Sequence, residues 1–121
     1  MTRAILLVDH GSRRSEANRA LEETAERVRA RAPEYIVRFA HMELAEPDLA
    51  RAIEDCAEAG ALEIVVHPFF LAAGRHSSHD IPRLVAQAAL NHPELMIRVT
   101  APLGPDEKLV DLILERVAQC K

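Results

Sequence analysis

The sequence predicts an α/β fold of three layers, a four-stranded parallel sheet flanked by helices on both faces. Three observations predict it. Short β-like runs alternate four times with amphipathic stretches along 121 residues. The first run, Ala4 to Val8, is apolar on both sides, as a parallel strand covered on both faces must be. Polar, histidine-bearing segments follow directly where runs end, the edge at which open α/β sheets place their ligands. Four βα units in succession imply right-handed crossovers. The length suits one domain over residues 1–121.

Arg3 to Asp9 forms the first strand. Ser15 to Arg31 follows as a helix, with Ala17, Leu21, Ala25 and Val28 at spacings of three and four and with Ser12 or Ser15 available as a cap. Tyr35 to Met42 makes the second strand. Pro47 and Asp48 open a helix that runs to Ala59, where Gly60 can stop it. Leu62 to Leu71 is the third strand, and Asp80 is placed to cap a helix that tolerates Pro82 in its first turn. That helix reaches about Asn91, with Leu84, Val85, Ala88 and Ala89 available for burial. Glu94 to Thr100 supplies the fourth strand. A Pro102-Leu103-Gly104-Pro105 turn then leads to a helix over Asp106 to Gln119, which gathers Leu109, Leu112, Ile113 and Val117.

Composition narrows the class of function. The chain is 49% hydrophobic but only 3% aromatic, so its core is aliphatic. A formal charge of −4 argues against a general nucleic-acid binder. Arg13, Arg14, Arg75 and Arg83 can still form a local basic patch beside the polar loops. No segment is long and apolar enough for a membrane span or a signal peptide, and cytoplasmic location is expected. Cys56 and Cys120 belong to no C-x-x-C pair, which fits a reducing compartment. Cys56 is expected to be a buried small side chain and Cys120 a terminal thiol.

Five of the six histidines gather near one sheet edge: His10 after the first strand, His41 at the end of the second, and His67, His76 and His79 around the third. Glu43 stands at that edge too. A lone turn histidine usually bonds a carbonyl and a lone loop glutamate is usually solvated, so the clustering is what carries the functional reading. His76 is the better ligand candidate of its loop, and His79 is expected where the next helix begins. His67 reads as a satisfied core histidine, His41 as intermediate, and His92 as a surface residue near a helix C-terminus. Imidazole and carboxylate suit Co²⁺, Fe²⁺, Ni²⁺ or Zn²⁺ rather than Mg²⁺ or Ca²⁺. The chain has no H-E-x-x-H, no G-x-S-x-G and no Walker loop. A site with so few protein ligands suits transfer of a metal rather than its storage.

Four blocks then resemble one family: L-L-V-D-H-G-S-R, H-M-E, P-F-F-L-x-x-G-x-H-x-x-x-D-I-P from Pro68 to Pro82, and A-P-L-G. They are similar to the small class II chelatases of tetrapyrrole biosynthesis, the sirohydrochlorin cobaltochelatases and ferrochelatases. The resemblance covers nearly the whole chain and implies a chelatase-like lobe. It implies insertion of a divalent metal into sirohydrochlorin, with no ATP and no organic cofactor. It places His10 and His76 at the metal and the pyrrole nitrogens, with Glu43 as a further ligand or proton acceptor. Charge and position add Ser12, Arg13, Arg14, Arg75, Ser77 and Ser78 as candidates for the substrate carboxylates. Many relatives carry two such lobes in tandem, so the short form is expected to pair as a homodimer. The rival readings are a non-catalytic metal-delivery protein and a tetrapyrrole-binding partner subunit on the same scaffold.

Overall fold

A computed structural model describes residues 2–74 and 79–121. Four strands and four helices alternate along it: β1 (Arg3–Asp9), α1 (Ser15–Arg31), β2 (Ile36–His41), α2 (Leu49–Glu58), β3 (Glu63–Pro68), α3 (Ile81–Ala89), β4 (Met96–Val99) and α4 (Glu107–Gln119). The strands form one parallel sheet in the order β2-β1-β3-β4. The expected strands and helices are all present: β1 and α1 keep their expected bounds, and the others are trimmed by one to three residues at their ends. The third strand is the most shortened, because Phe69, Phe70 and Leu71 have already left the ladder.

The strand order decides where the site lies. From β1 the chain crosses to β2 on one side, then returns past β1 to β3 and β4 on the other. Right-handed crossovers in opposite directions put α1 on one face and α2 and α3 on the other. The reversal point lies between β1 and β3, so the loops leaving those two strands diverge and open a crevice. His10 leaves β1 there, and residues 69–80 leave β3.

The core has two unequal parts. Ala4, Leu6, Val8, Ile64 and Val66 of the central strands pack with Leu49, Ala52, Ile53 and Cys56 of α2 and with Ile81, Val85 and Ala88 of α3. On the opposite face Leu7 and Val37 pack with Leu21 and Ala25 of α1, joined by the partly buried Val28, Phe39 and Phe69. Cys56 is fully buried, and burial pushes its thiol up to about 11; Cys120 is exposed. Ala17, expected on the packed side of α1, is exposed, because the helix meets the sheet only from Leu21 onward.

The capping expectations divide. Asp48 caps α2 by accepting from the Arg51 amide at 2.9 Å, and Asp106 caps α4 through Lys108 at 2.8 Å. Neither Ser12 nor Ser15 caps α1; Arg14 stands at that position with extended backbone and no side-chain cap. Asp80 makes no side-chain cap either: its backbone is already helical, whereas a capping side chain needs an extended residue to reach the first-turn amides. No helix among the described residues is long and apolar enough to cross a membrane.

Candidate active site

The exits of β1 and β2 are bound together before any site side chain is considered. Parallel pairing runs to the rung Asp9–His41 and continues past it, with the Met42 amide donating to the Asp9 carbonyl at 2.9 Å and the Glu43 amide to the His10 carbonyl at 3.1 Å. Gly11 then turns with φ of +93° against the Glu43 carbonyl. A Cβ at that position would lie 1.9 Å from the oxygen, so no other residue allows the two exits to touch. Leu44, just beyond, is held at φ of 71°, a left-handed conformation that a leucine rarely adopts.

This contact brings His10 and Glu43 together. The His10 Nε2 lies 2.8 Å from Glu43 Oε1, with the two side chains 41% and 57% exposed. They form a solvent-accessible imidazole–carboxylate pair at the strand exits, as the sequence places them. A shallow cavity of about 360 Å³ opens alongside, lined by Met42, Glu43, Leu44, Ala45, Glu46 and Asp48. A larger one, about 550 Å³, lies along α2 from Ala50 to Glu58 and against Ala88, Asn91 and His92 at the end of α3. It lies on the outer side of the helix layer and includes neither His10 nor Glu43.

One rung beneath lies a second pair that the sequence does not disclose. His41 is 1% exposed, and its Nδ1 stands 2.6 Å from Asp9 Oδ1, across the last paired position of β1 and β2. The Phe39 ring packs with the imidazole in a tilted, edge-type arrangement, centroids 5.8 Å apart and planes at 64°. Asp9 and His41 thus brace the exits from which His10 and Glu43 project. Only knowledge that β2 lies beside β1, in this register, could have paired them.

Of the remaining candidates, Arg13 and Arg14 are exposed at the β1 exit, open to an anion. Ser12 is engaged locally: its amide donates to Asn18 Oδ1 at 2.9 Å, its carbonyl accepts from Asn18 Nδ2 at 2.7 Å, and its hydroxyl accepts from the Arg14 amide at 3.0 Å. Asn18 therefore ties the loop to α1, a role its sequence position gave no hint of. Arg75, His76, Ser77 and Ser78 lie outside the described residues. Among the described residues no three His, Cys, Asp or Glu side chains converge as a metal-binding group.

His67 is half-buried on the α1 face of β3. Thr100 spends its hydroxyl proton on the Ala101 carbonyl at 2.7 Å, so the 2.8 Å contact to His67 is donated by Nδ1–H. Burial holds its pKa below the usual histidine range. His67 is thus the satisfied histidine expected, though not in the core. His79 is exposed before α3. His92 departs from expectation, half-buried rather than on the surface, with Nδ1 3.7 Å from Glu94. The A-P-L-G block packs against the β3 exit: Gly104 donates its amide to the Phe70 carbonyl at 3.0 Å, and a Cβ there would lie 2.6 Å from the Leu71 oxygen.

Fold and site together define a parallel α/β protein that presents imidazole and carboxylate where β1 and β2 end, next to the reversal of strand order. The family model CbiX matches residues 4–120, and the chain belongs to that family. It is 46% identical over 116 residues to a chloroplastic sirohydrochlorin ferrochelatase of Arabidopsis thaliana, covering 96% of this chain and 52% of that one. It is 34% identical over 137 residues to a sirohydrochlorin cobaltochelatase of Methanocaldococcus jannaschii, covering 93% and 96%. Among solved structures, a sirohydrochlorin chelatase of Bacillus subtilis subspecies spizizenii in complex with cobalt superposes with a TM-score of 0.91 at 34% identity, over 98% of this chain and 51% of that one. The chain thus spans about half of the plant and Bacillus proteins but nearly all of the methanogen protein.

Proposed function

We propose that this chain inserts a divalent metal, Co²⁺ with Fe²⁺ or Ni²⁺ as alternatives, into sirohydrochlorin. On this reading it needs neither ATP nor an organic cofactor and works as a homodimer, residues 1–121 forming one lobe. The observation that carries the reading is the accessible His10–Glu43 pair, 2.8 Å apart beside the β1/β3 reversal, in a chain of the CbiX family. Support comes also from the relatives, named for cobalt and iron insertion into this tetrapyrrole.

The reaction requires two pyrrole N–H bonds to break while four metal–nitrogen bonds form and the metal sheds water. Two protons must therefore leave the macrocycle. In the 2.8 Å contact Nε2–H donates to Glu43. The His10 imidazole can therefore hold the incoming metal or accept a proton through Nε2 once that proton has passed to the carboxylate and the contact parts, with Glu43 able to serve beside it. His76 joins them from the segment between β3 and α3. Arg13 and Arg14, with Arg75, Ser77 and Ser78, receive the substrate carboxylates, and the Ser12 hydroxyl retains a proton to donate. Because the braced exits hold His10 and Glu43 in place, little reorganisation is needed when substrate arrives. The free Cys56 and Cys120 suit a reducing compartment such as the cytoplasm.

The test is anaerobic incubation of the protein with sirohydrochlorin and each of Co²⁺, Fe²⁺ and Ni²⁺, following the absorbance change. Insertion faster than the uncatalysed rate is expected. His10→Ala or His76→Ala should lower it by about 10²–10⁴-fold, the usual worth of a general acid–base group. His92→Ala should leave it nearly unchanged. Metal binding without accelerated insertion overturns the proposal in favour of a delivery protein.

A further inference from the structure

Contacts from three directions converge on His41. Its Nδ1 stands 2.6 Å from Asp9 Oδ1, its amide donates to the Pro47 carbonyl at 2.9 Å, and a Cβ on Gly11 would come within 3.1 Å of its own. Asp9 immediately precedes His10, and His41 stands two residues before Glu43. The bond to Pro47 closes residues 42–47 into a loop, so the segment that carries Glu43 is tied back at its far end. A bridge between His41 and Asp48 extends that tie to the cap of α2. His41 therefore fixes both ends of the Glu43 loop, and through Asp9 it holds the exit from which His10 leaves.

The pair is a poor way to stabilise a sheet. His41 is buried and the Asp9 side chain is only 20% exposed, and polar groups taken from water gain little net when they meet each other. An apolar pair would serve the fold as well or better, as Leu7 and Phe39 do two residues earlier on the same face. What an apolar pair lacks is direction. Packing tolerates sliding and rotation, whereas a bond from Nδ1–H to a carboxylate sets both spacing and angle. That bond lies one rung below the 2.8 Å contact of His10 with Glu43.

We propose that Asp9 and His41 are positioning residues for metal insertion, their bond fixing the offset of the two strand exits at which His10 and Glu43 face each other. Both act through the backbone that carries those two side chains. This deepens the chelatase reading above and rests on it for the reaction, though not for the contact that the pair maintains.

The test compares two variants with the wild type. Asp9→Val with His41→Leu exchanges the polar pair for an apolar one, and His41→Asn keeps an N–H donor near the place of Nδ1. The apolar variant should melt no lower than the wild type. It should insert Co²⁺ into sirohydrochlorin with kcat lower by about 10–10²-fold and KM within about threefold, the signature of displaced reacting groups. His41→Asn should recover most of that loss. With no metal or substrate present, the His10 Nε2 nitrogen resonance should move toward that of a solvated histidine in the apolar variant and stay near its wild-type place in His41→Asn. An apolar variant that melts well below the wild type overturns the proposal, since the pair would then hold the fold rather than the site. An unchanged kcat or an unchanged His10 resonance in that variant overturns it too. A wild-type protein that inserts no metal sinks the chelatase reading, and the His10 resonance then decides this proposal by itself.

Discussion

Helices α2 and α4 are written in the same code and meet opposite fates. Each is opened by an aspartate whose carboxylate accepts a first-turn amide, and each gathers its apolar residues on one side. Yet α2 buries Leu49, Ala52, Ile53 and Cys56, whereas α4 buries nothing. An amphipathic pattern specifies that a face is to be covered. It does not specify by what.

The strongest way to break this comparison is to shorten matched residues. Ile53→Ala should cost about 2–5 kcal/mol of unfolding free energy, as truncation in a close-packed core does, whatever the protein concentration. Ile113→Ala should cost under about 0.5 kcal/mol, since that side chain is 60% exposed and loses few contacts. Urea titrations of the two variants separate them, and an Ile113→Ala loss as large as that of Ile53→Ala would mean that the α4 stripe is covered after all.

Removing the caps should give a smaller contrast. Asp48→Ala should lower global stability by about 1 kcal/mol. Asp106→Ala should instead reduce helicity alone, leaving the unfolding of the α2/α3 core in place, as circular dichroism with urea titration can show.

The thiols sharpen the contrast between inside and outside. Iodoacetamide at pH 8 should modify Cys120 quickly and spare Cys56 until the protein unfolds. Because burial raises the Cys56 thiol to about 11, the unfolded chain loses that proton at lower pH than the folded one. The associated stability is full below the ordinary thiol range and is lost as pH climbs toward 11. Cys56→Ala should remove that alkaline component from a pH series of urea midpoints.

His67 on the α1 face of β3 gives the smallest expected effect, in the opposite direction. Its pKa is held down by burial, so the neutral ring is favoured in the fold. Its contribution is present above the ordinary histidine range and fades as the solution is acidified below it. His67→Gln should flatten the acid side of the same series, and no change there would show that the ring is better solvated than its position suggests.

The architecture was legible because strand runs, Gly60 and the two capping aspartates all speak locally. Glu43 and His10 were legible because both stand at strand exits, where a fold rule applies to every such position. Asp9 and His41 were not, since their contact depends on which strand neighbours which and on a register that one sequence does not display. Gly11 was legible as a tight turn, but its close approach to the Glu43 carbonyl and the tie made by Asn18 were missed for a related reason: each works by touching another loop or element. The exposure of α4 could not be read from its pattern at all, since packed and unpacked stripes are spelled alike.

The two rungs beyond the β1–β2 ladder carry one further consequence, for how the site can be watched. The Glu43 amide is bonded to the His10 carbonyl, although it lies past the end of the strand. Its hydrogen is therefore held by the backbone of the very residue its side chain faces. It should exchange with solvent deuterium much more slowly than the Leu44 amide next to it. Anything that parts the two exits must release that one proton, so a single exchange rate records how often His10 and Glu43 come apart.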